Sequence, residues 1–313
     1  MLKKIQIALY DRDGYMNSLA DYLCRKGHNM LETRLFTKLD MLKKSVEEGK
    51  IDVLLAGEEV TNEIRCLKDK VTRIMLLSEG SQVSEESEFF LLFKYQSAQN
   101  LVKEVLAQIA EDDMIYCTQK IITKKTVELI GVFAPFGGAG VTDYALSMAK
   151  ELAKQYKTLY INMELFQGLD FLLQGKKKEK ENIYRGMSEV VFYLKQRKEK
   201  LALKLETVVI PLEELDVILA VEDYRDLYSL GCGEMRQLLK VLLHQTDYEK
   251  VVFDIGYTGD SALYLMEQCS RLYMPEAVTP MQKSKEQAFW RFLRRENYEQ
   301  MVQNFKRYAI NNQ

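Results

Sequence analysis

The sequence predicts an α/β protein of two domains, each a parallel sheet flanked by helices. Three observations carry this. Residues 3–111 alternate short apolar or β-branched runs with stretches of helical spacing. A second alternation opens at "VELIGVFA" and continues to the end of the chain. Between them, residues 112–127, "DDMIYCTQKIITKKTV", have no clear periodicity and read as a short, fairly stiff linker. The expected domains are therefore 1–111 and 128–313.

The first domain opens with the strand "IQIALY", which ends at Asp11. The helix "GYMNSLADYLCRKG" follows, with Tyr15, Leu19, Tyr22 and Leu23 on one face and Gly27 closing it. "MLETRLFT" alternates as a strand, and "DMLKKSVEEGK" is a charged amphipathic helix stopped by glycine. "IDVLLAG", "VTRIMLLS" and "FFLLFKY" are continuous apolar runs, as buried parallel strands require. "SAQNLVKEVLAQIAED" is the last helix of this half.

In the second domain "VELIGVFA" is a strand, "PFGGAG" a glycine loop and "TDYALSMAKELAKQY" a helix with Ala145, Ala149, Leu152, Ala153 and Tyr156 on one face. "KTLYINMELFQGLD" is a strand running into an acidic loop, and "LDVILAVEDY" is a strand with a turn. "EMRQLLKVLLHQTDY" is a helix, and "EKVVFDIG" is a buried strand ending in Asp254. "CSRLYMPEAVTP" is a further strand, and "SKEQAFWRFLRRENYEQMVQNFKRYA" a long helical region.

The bulk composition fits a soluble globular chain: 47% hydrophobic and 29% charged over 313 residues. A net charge of -2 argues against a general nucleic-acid binder. The five cysteines are odd in number and share no metal-ligand spacing, so reduced thiols in a cytoplasmic protein are expected. With two histidines, a His-rich metal site is excluded. No segment approaches the ~20 apolar residues of a membrane span.

Chemistry concentrates at the glycine loop. Strand, glycine loop and helix in succession form the context of a phosphate-binding loop. Gly137, Gly138, Ala139, Gly140, Val141, Thr142 and Asp143 would place backbone N–H groups and a helix N-terminus around a phosphate. Thr142 offers a hydroxyl to Mg²⁺, and Asp254 is placed like a carboxylate that holds the metal's water. The lysine usual before the final Thr is replaced by Val141. That loss weakens binding roughly ten- to a hundredfold and harms hydrolysis more. Weak binding of ATP and Mg²⁺, with turnover at background, is the expectation.

The order and length of residues 3–111 resemble the receiver domain of response regulators, a flavodoxin-like fold. The resemblance implies an acidic pair at Asp11 and Asp13, a hydroxyl at Ser78 and a lysine at Lys94. At the phosphoryl-accepting position stands Ala56 or Gly57, so a pseudo-receiver used for docking or dimerisation is expected. Glu58 or Glu59 shifted into place is the alternative.

The second domain resembles the MinD/ParA class of P-loop ATPases, whose loop reads K-G-G-x-G-K-[ST]. This chain keeps "GGAG" and Thr142 but has Phe136 and Val141 at the two lysines. The first of those lysines reaches across a dimer in the class, so the resemblance implies that this contact is absent. The class's two switch aspartates correspond to Asn162 and Glu164, and "VVFDIG" keeps the metal-binding aspartate. A degenerate receiver before a short ATPase domain of this kind is similar in layout to the CpaE/TadZ proteins of Flp-type (tight-adherence) pilus assembly. That resemblance implies a localisation or assembly scaffold, homodimeric, partnered by pilus or secretion assembly proteins. It would sit in the cytoplasm, at the inner face of the membrane or at a cell pole.

Two other readings stay open. One is a working ATPase whose cation comes from Lys124, Lys125 or Lys285. The other is a DNA-bound positioning protein acting through the basic stretch 176–200, for which a solvated loop and helix face is the simpler account. The aromatic and arginine residues of "FWRFLRRENY" fit core packing better than a membrane surface, and "GCG" around Cys232 reads as a helix-entry turn.

Overall fold

A computed structural model describes residues 4–11, 14–26, 31–80, 89–112, 115, 126–173, 186–198 and 200–309. The chain divides into two compact units, Met1–Ile121 and Ile122–Gln313.

The first unit runs β1 (Ile5–Tyr10), α1 (Tyr15–Lys26), β2 (Leu31–Phe36), α2 (Leu39–Glu47), β3 (Val53–Gly57), α3 (Thr61–Ile64), β4 (Arg73–Ser78), β5 (Phe90–Phe93) and α4 (Ala98–Glu111). Its sheet has the order β2-β1-β3-β4-β5, with every pairing parallel. This is the flavodoxin-like doubly wound order. β3 is buried along its whole length, which explains the unbroken apolar run "VLLAG". The order reverses between β1 and β3, so Asp11 and Gly57 end neighbouring strands at the crevice where such sheets bind ligands. Asp112, in the expected linker, is buried and ion-paired with Arg73 at 2.6 Å.

The second unit runs β6 (Glu128–Phe133), α5 (Val141–Ala153), β7 (Thr158–Met163), α6 (Gly186–Lys195), α7 (Leu201–Val208), β8 (Ile210–Leu212) and β9 (Leu215–Ile218). It continues through α8 (Tyr224–Ser229), α9 (Cys232–His244), β10 (Lys250–Ile255), α10 (Asp260–Gln268), β11 (Arg271–Pro275), α11 (Pro280–Arg295), α12 (Glu299–Asn304) and β12 (Phe305–Tyr308). The sheet order is β12-β11-β6-β10-β7-β9-β8. β6 and β10 are central and fully flanked, and both are almost wholly buried. α5 covers one face, pressing Ala145, Leu146 and Ala149 onto Ile130, Val132, Tyr160 and Val252.

The expected α/β class holds in both units, with two corrections of detail in the second. The sheet is not purely parallel, because β8 pairs antiparallel with β9 through a turn that holds Glu213 at φ +54°. The expected C-terminal helical region is broken into two helices and a strand. α11 ends before Asn297, which takes φ +64°. β12 then lies parallel to β11, and Tyr308 stacks on Tyr144 with ring centres 3.5 Å apart. Pairing with β11 and stacking on a ring of α5 outweigh the helical propensity of this short segment.

Candidate functional site

The chain leaves β6 at the centre of the second sheet and turns through residues 134–140 into α5. Gly138 and Gly140 take φ +69° and +64°, a left-handed backbone that glycine adopts without strain. Gly140 is also the N-cap of α5, and its carbonyl accepts the Tyr144 N–H at 3.0 Å. A Cβ placed on Gly137, Gly138 or Gly140 would meet nothing within 4 Å. The loop backbone therefore faces open space. That space is a cleft of about 520 Å³, and every residue from Phe133 to Asp143 lines it. Loop N–H groups and the N-terminus of a 13-residue helix thus converge on one concave surface.

Beneath the loop sits a set of oxygen donors. Register sets Asp254 on β10 beside Val132 of β6 and Asn162 of β7. Asp254 is fully buried, and the Tyr160 hydroxyl donates to its Oδ2 at 2.8 Å. Its Oδ1 is buried with no hydrogen-bond partner among the described residues. Burial pushes the Asp254 carboxyl up to about 6; the Tyr160 and Thr142 hydroxyls oppose this, and the nearby Glu164 and Asp143 add to it. Burial likewise raises the Glu164 carboxyl, against the Thr142 hydroxyl, which donates to Oε1 at 3.4 Å. The Glu164 carboxylate lies over Gly256, where a Cβ would come within 2.1 Å of it. Asn162 is buried; its Oδ1 accepts the Glu164 N–H at 2.9 Å, and its Nδ2 has no partner among the described residues. Asp143 is exposed at the cleft. A buried carboxylate oxygen without a donor, a threonine hydroxyl and a second carboxylate are hard oxygen ligands of the kind Mg²⁺ takes. Thr142 and Asp254 fit the expected metal role.

The two positions that lack lysine are taken up by packing. Phe136 is 5% exposed, and Val141 packs against the apolar cluster under α5. Neither can present a charge to the cleft. Of the three lysines considered as alternative cations, Lys124 and Lys125 lie outside the described residues, whereas Lys285 lines the cleft. The sequence patterns gave no signal for Tyr160, Tyr228 or Tyr257, although the last two also line the cleft. A tyrosine inside a buried apolar strand, as at 160, implies a hydroxyl partner in the core and could have pointed to Asp254.

The corresponding region of the first unit is quieter. Asp11 is a turn residue, its carboxylate accepting the N–H of Gly14 at 3.2 Å and of Met16 at 2.8 Å. Asp13 lies outside the described residues. Ser78 is buried, with Oγ accepting the Gly80 N–H. Lys94 is buried, pairs with Glu79 at 3.1 Å and lies 5.5 Å from the centre of the Tyr15 ring. Gly57 has no side chain, but a Cβ there would sit 2.0 Å from the Glu59 carboxylate, which folds back over the end of β3.

The basic stretch is only partly described, residues 174–185 and 199 lying outside the described set. Its described part is mostly the expected solvated face, with Lys195, Gln196 and Arg197 exposed, and only its end departs from it. Lys195 pairs with Glu234 at 3.1 Å, and Lys200 is buried at the start of α7. In α11, Phe289 packs on Phe133 with ring centres 5.1 Å apart, and Trp290 packs on Phe305 at 5.2 Å. The aromatic residues of this helix thus serve its own core. No described helix is long and apolar enough to cross a membrane. Cys232 opens α9 directly after Gly231, whose N–H is held by Glu234 at 3.1 Å, as a helix-entry turn requires.

Several solved structures resemble the chain in fold. A plasmid partition protein from Borrelia burgdorferi matches at 16% identity and TM-score 0.47, over 59% of this chain and 78% of that one. A ParA family ATPase from Chlorobium tepidum matches at 14% and 0.47, over 59% and 73%. The MinC:MinD cell division protein complex of Aquifex aeolicus matches at 14% and 0.43, over 58% and 70%. No family model matches the chain, and no curated protein does.

Proposed function

We propose that residues 122–313 hold a nucleoside triphosphate weakly, with Mg²⁺, and that the chain acts as a localisation or assembly scaffold with turnover at background. One observation carries this reading. An open glycine loop ends at Thr142 and Asp143, close to a fully buried Asp254 with one oxygen lacking a hydrogen-bond partner among the described residues, while both lysine positions of that loop are apolar and packed. Phosphate contacts through backbone N–H groups survive those losses. Stabilisation of charge on a transferring phosphoryl group does not. Asn162 also offers no carboxylate at the first switch position. The service of this scaffold to a Flp-type pilus or a related secretion machine rests on the resemblance to CpaE/TadZ layout. So does a position at the cytoplasmic face of the membrane or at a pole. The first unit, with Ala56 or Gly57 at the accepting position, would act as a docking module.

The test is calorimetry with ATP and Mg²⁺ alongside a phosphate-release assay. Binding in the high-micromolar to millimolar range (about -4 to -5.5 kcal/mol) with no release above buffer is expected. Release that Thr142→Ala abolishes would replace this reading with that of a working ATPase. That second reading is favoured by one feature alone, the presence of Lys285 in the cleft. Self-association is a separate expectation. Light scattering should give a dimer with and without ATP, since no loop lysine is available to couple dimerisation to nucleotide. A monomer under both conditions would count against the scaffold as drawn.

A further inference from the structure

The nucleotide reading leaves a charge unaccounted for. A triphosphate carries several negative charges, yet Asp143 and Glu164 on the cleft wall add more of the same sign. Mg²⁺ can offset part of this. The loop offsets none with a side chain, because residues 136 and 141 are Phe and Val. Among the residues lining the cleft, Lys285 is the one lysine or arginine. The other cations of α11, at 283, 291, 294 and 295, do not line it.

The position of Lys285 is set by packing. Lys285 and Phe289 are four apart on α11 and so share a face. Phe289 is seated on Phe133, the last residue of the strand that feeds the glycine loop. Anchoring one turn of α11 over the end of β6 brings the preceding turn, with Lys285, to the cleft mouth. The start of α11 is itself fixed. Pro280 follows the N-cap Thr279, which accepts the Gln282 N–H at 3.2 Å, while Gln282 accepts the Thr279 N–H at 3.0 Å. Among the described residues no carboxylate pairs with Lys285, whereas its neighbour Glu286 is committed to Trp290 and Arg307. A lysine that is exposed, unpaired among the described residues and carried to the cleft of an anion-binding loop is placed to meet an anion.

We propose that Lys285 supplies from α11 the cation that the loop lacks, contacting the oligophosphate of a bound nucleoside triphosphate. This rests on the nucleotide reading of the cleft and adds the residue that gives it charge selectivity. An ammonium on a long side chain from a separate helix orders less well than one rooted in the loop. The same residue therefore accounts for binding without efficient catalysis.

The experiment titrates ATP, ADP and AMP with Mg²⁺ into the wild-type chain, Lys285→Met, Lys285→Arg and Lys283→Met. Unchanged circular dichroism and melting temperature are expected for all, since both lysines are exposed. Lys285→Met should weaken ATP binding about ten- to a hundredfold, the loss of one charge-assisted contact, and AMP binding by about threefold or less. Lys285→Arg should keep most of the affinity, and Lys283→Met should leave it unchanged. Val141→Lys placed in the Lys285→Met chain should recover ATP binding. Wild-type affinity for ATP in Lys285→Met would overturn the assignment and leave the nucleotide reading standing. Equal losses for ATP and AMP would overturn it as well. No binding of any nucleotide to the wild-type chain at millimolar concentration would overturn both.

Discussion

Gly186→Ala destabilises residues 122–313 by about 2–5 kcal/mol. Gly186 opens α6 at φ +48°, where an L side chain is strained. A Cβ there would lie 2.5 Å from the Leu219 carbonyl oxygen and 2.7 Å from that of Ala220. Neither oxygen can simply retreat. Leu219 O accepts the Met187 N–H at 2.9 Å, and Ala220 N–H is held by Gln167 Oε1 at 3.2 Å. Left-handed strain contributes ~1–2 kcal/mol and the backbone overlap ~1–3 kcal/mol more. For a unit of this size the midpoint should fall by about 5–15 °C. Trp290 is the sole tryptophan and is packed in the second unit, so its fluorescence follows this transition within the full chain. A loss under about 0.5 kcal/mol would show that the α6 entry relaxes freely. Gln167 lies in the loop after β7, so the substitution should also disturb the segment bearing Glu164.

That glycine gives no warning in the sequence. Gly138 and Gly140 announce themselves because three glycines fall between a strand and a helix. Gly186 stands alone, and its need arises from two carbonyls 33 and 34 residues further along the chain. The same contrast runs through the molecule. Strands with apolar runs, such as "VLLAG" and the "VVF" of β10, are legible because burial on both faces leaves little room for polar side chains. The loop, Thr142 and Asp254 are legible because local order places them at strand ends. Helices α6 and α7 carry no such mark. They are buried on several sides, so their polar and apolar residues do not separate into clean stripes. β12 reads as helix because its residues become a strand only through β11 and Tyr144. Lys285 was one of three lysines equally available on composition. Only the packing of Phe289 on Phe133 brings it to the cleft.

Asp254→Asn is expected to stabilise the metal-free protein at neutral pH. The Asp254 carboxyl titrates at about 6 in the fold against 3.8 for an unperturbed aspartate, mainly because it is buried. Between those values the native state holds more protons than the unfolded chain, so its stability falls as pH rises through the window. Above about pH 6 the full cost is present, ~3 kcal/mol for a two-unit shift. Asparagine keeps the acceptor for the Tyr160 hydroxyl and removes the charge. Its amide would stand at the unpartnered Oδ1 position, which returns ~1 kcal/mol or more of the gain. A net gain of about 1–2 kcal/mol near pH 7.5, shrinking toward zero near pH 4.5, should appear in chelator-treated denaturation followed at Trp290. Glu164, raised by burial beside it, titrates in the same direction, so the variant should keep part of the wild-type slope. A loss of equal size at both pH values would mean that Asp254 is a structural hydrogen-bond partner and nothing more. Adding Mg²⁺ with ATP separates the two roles. A carboxylate that costs stability when bare belongs where a cation offsets the cost, so the ligands should raise the wild-type midpoint and leave that of Asp254→Asn almost unmoved.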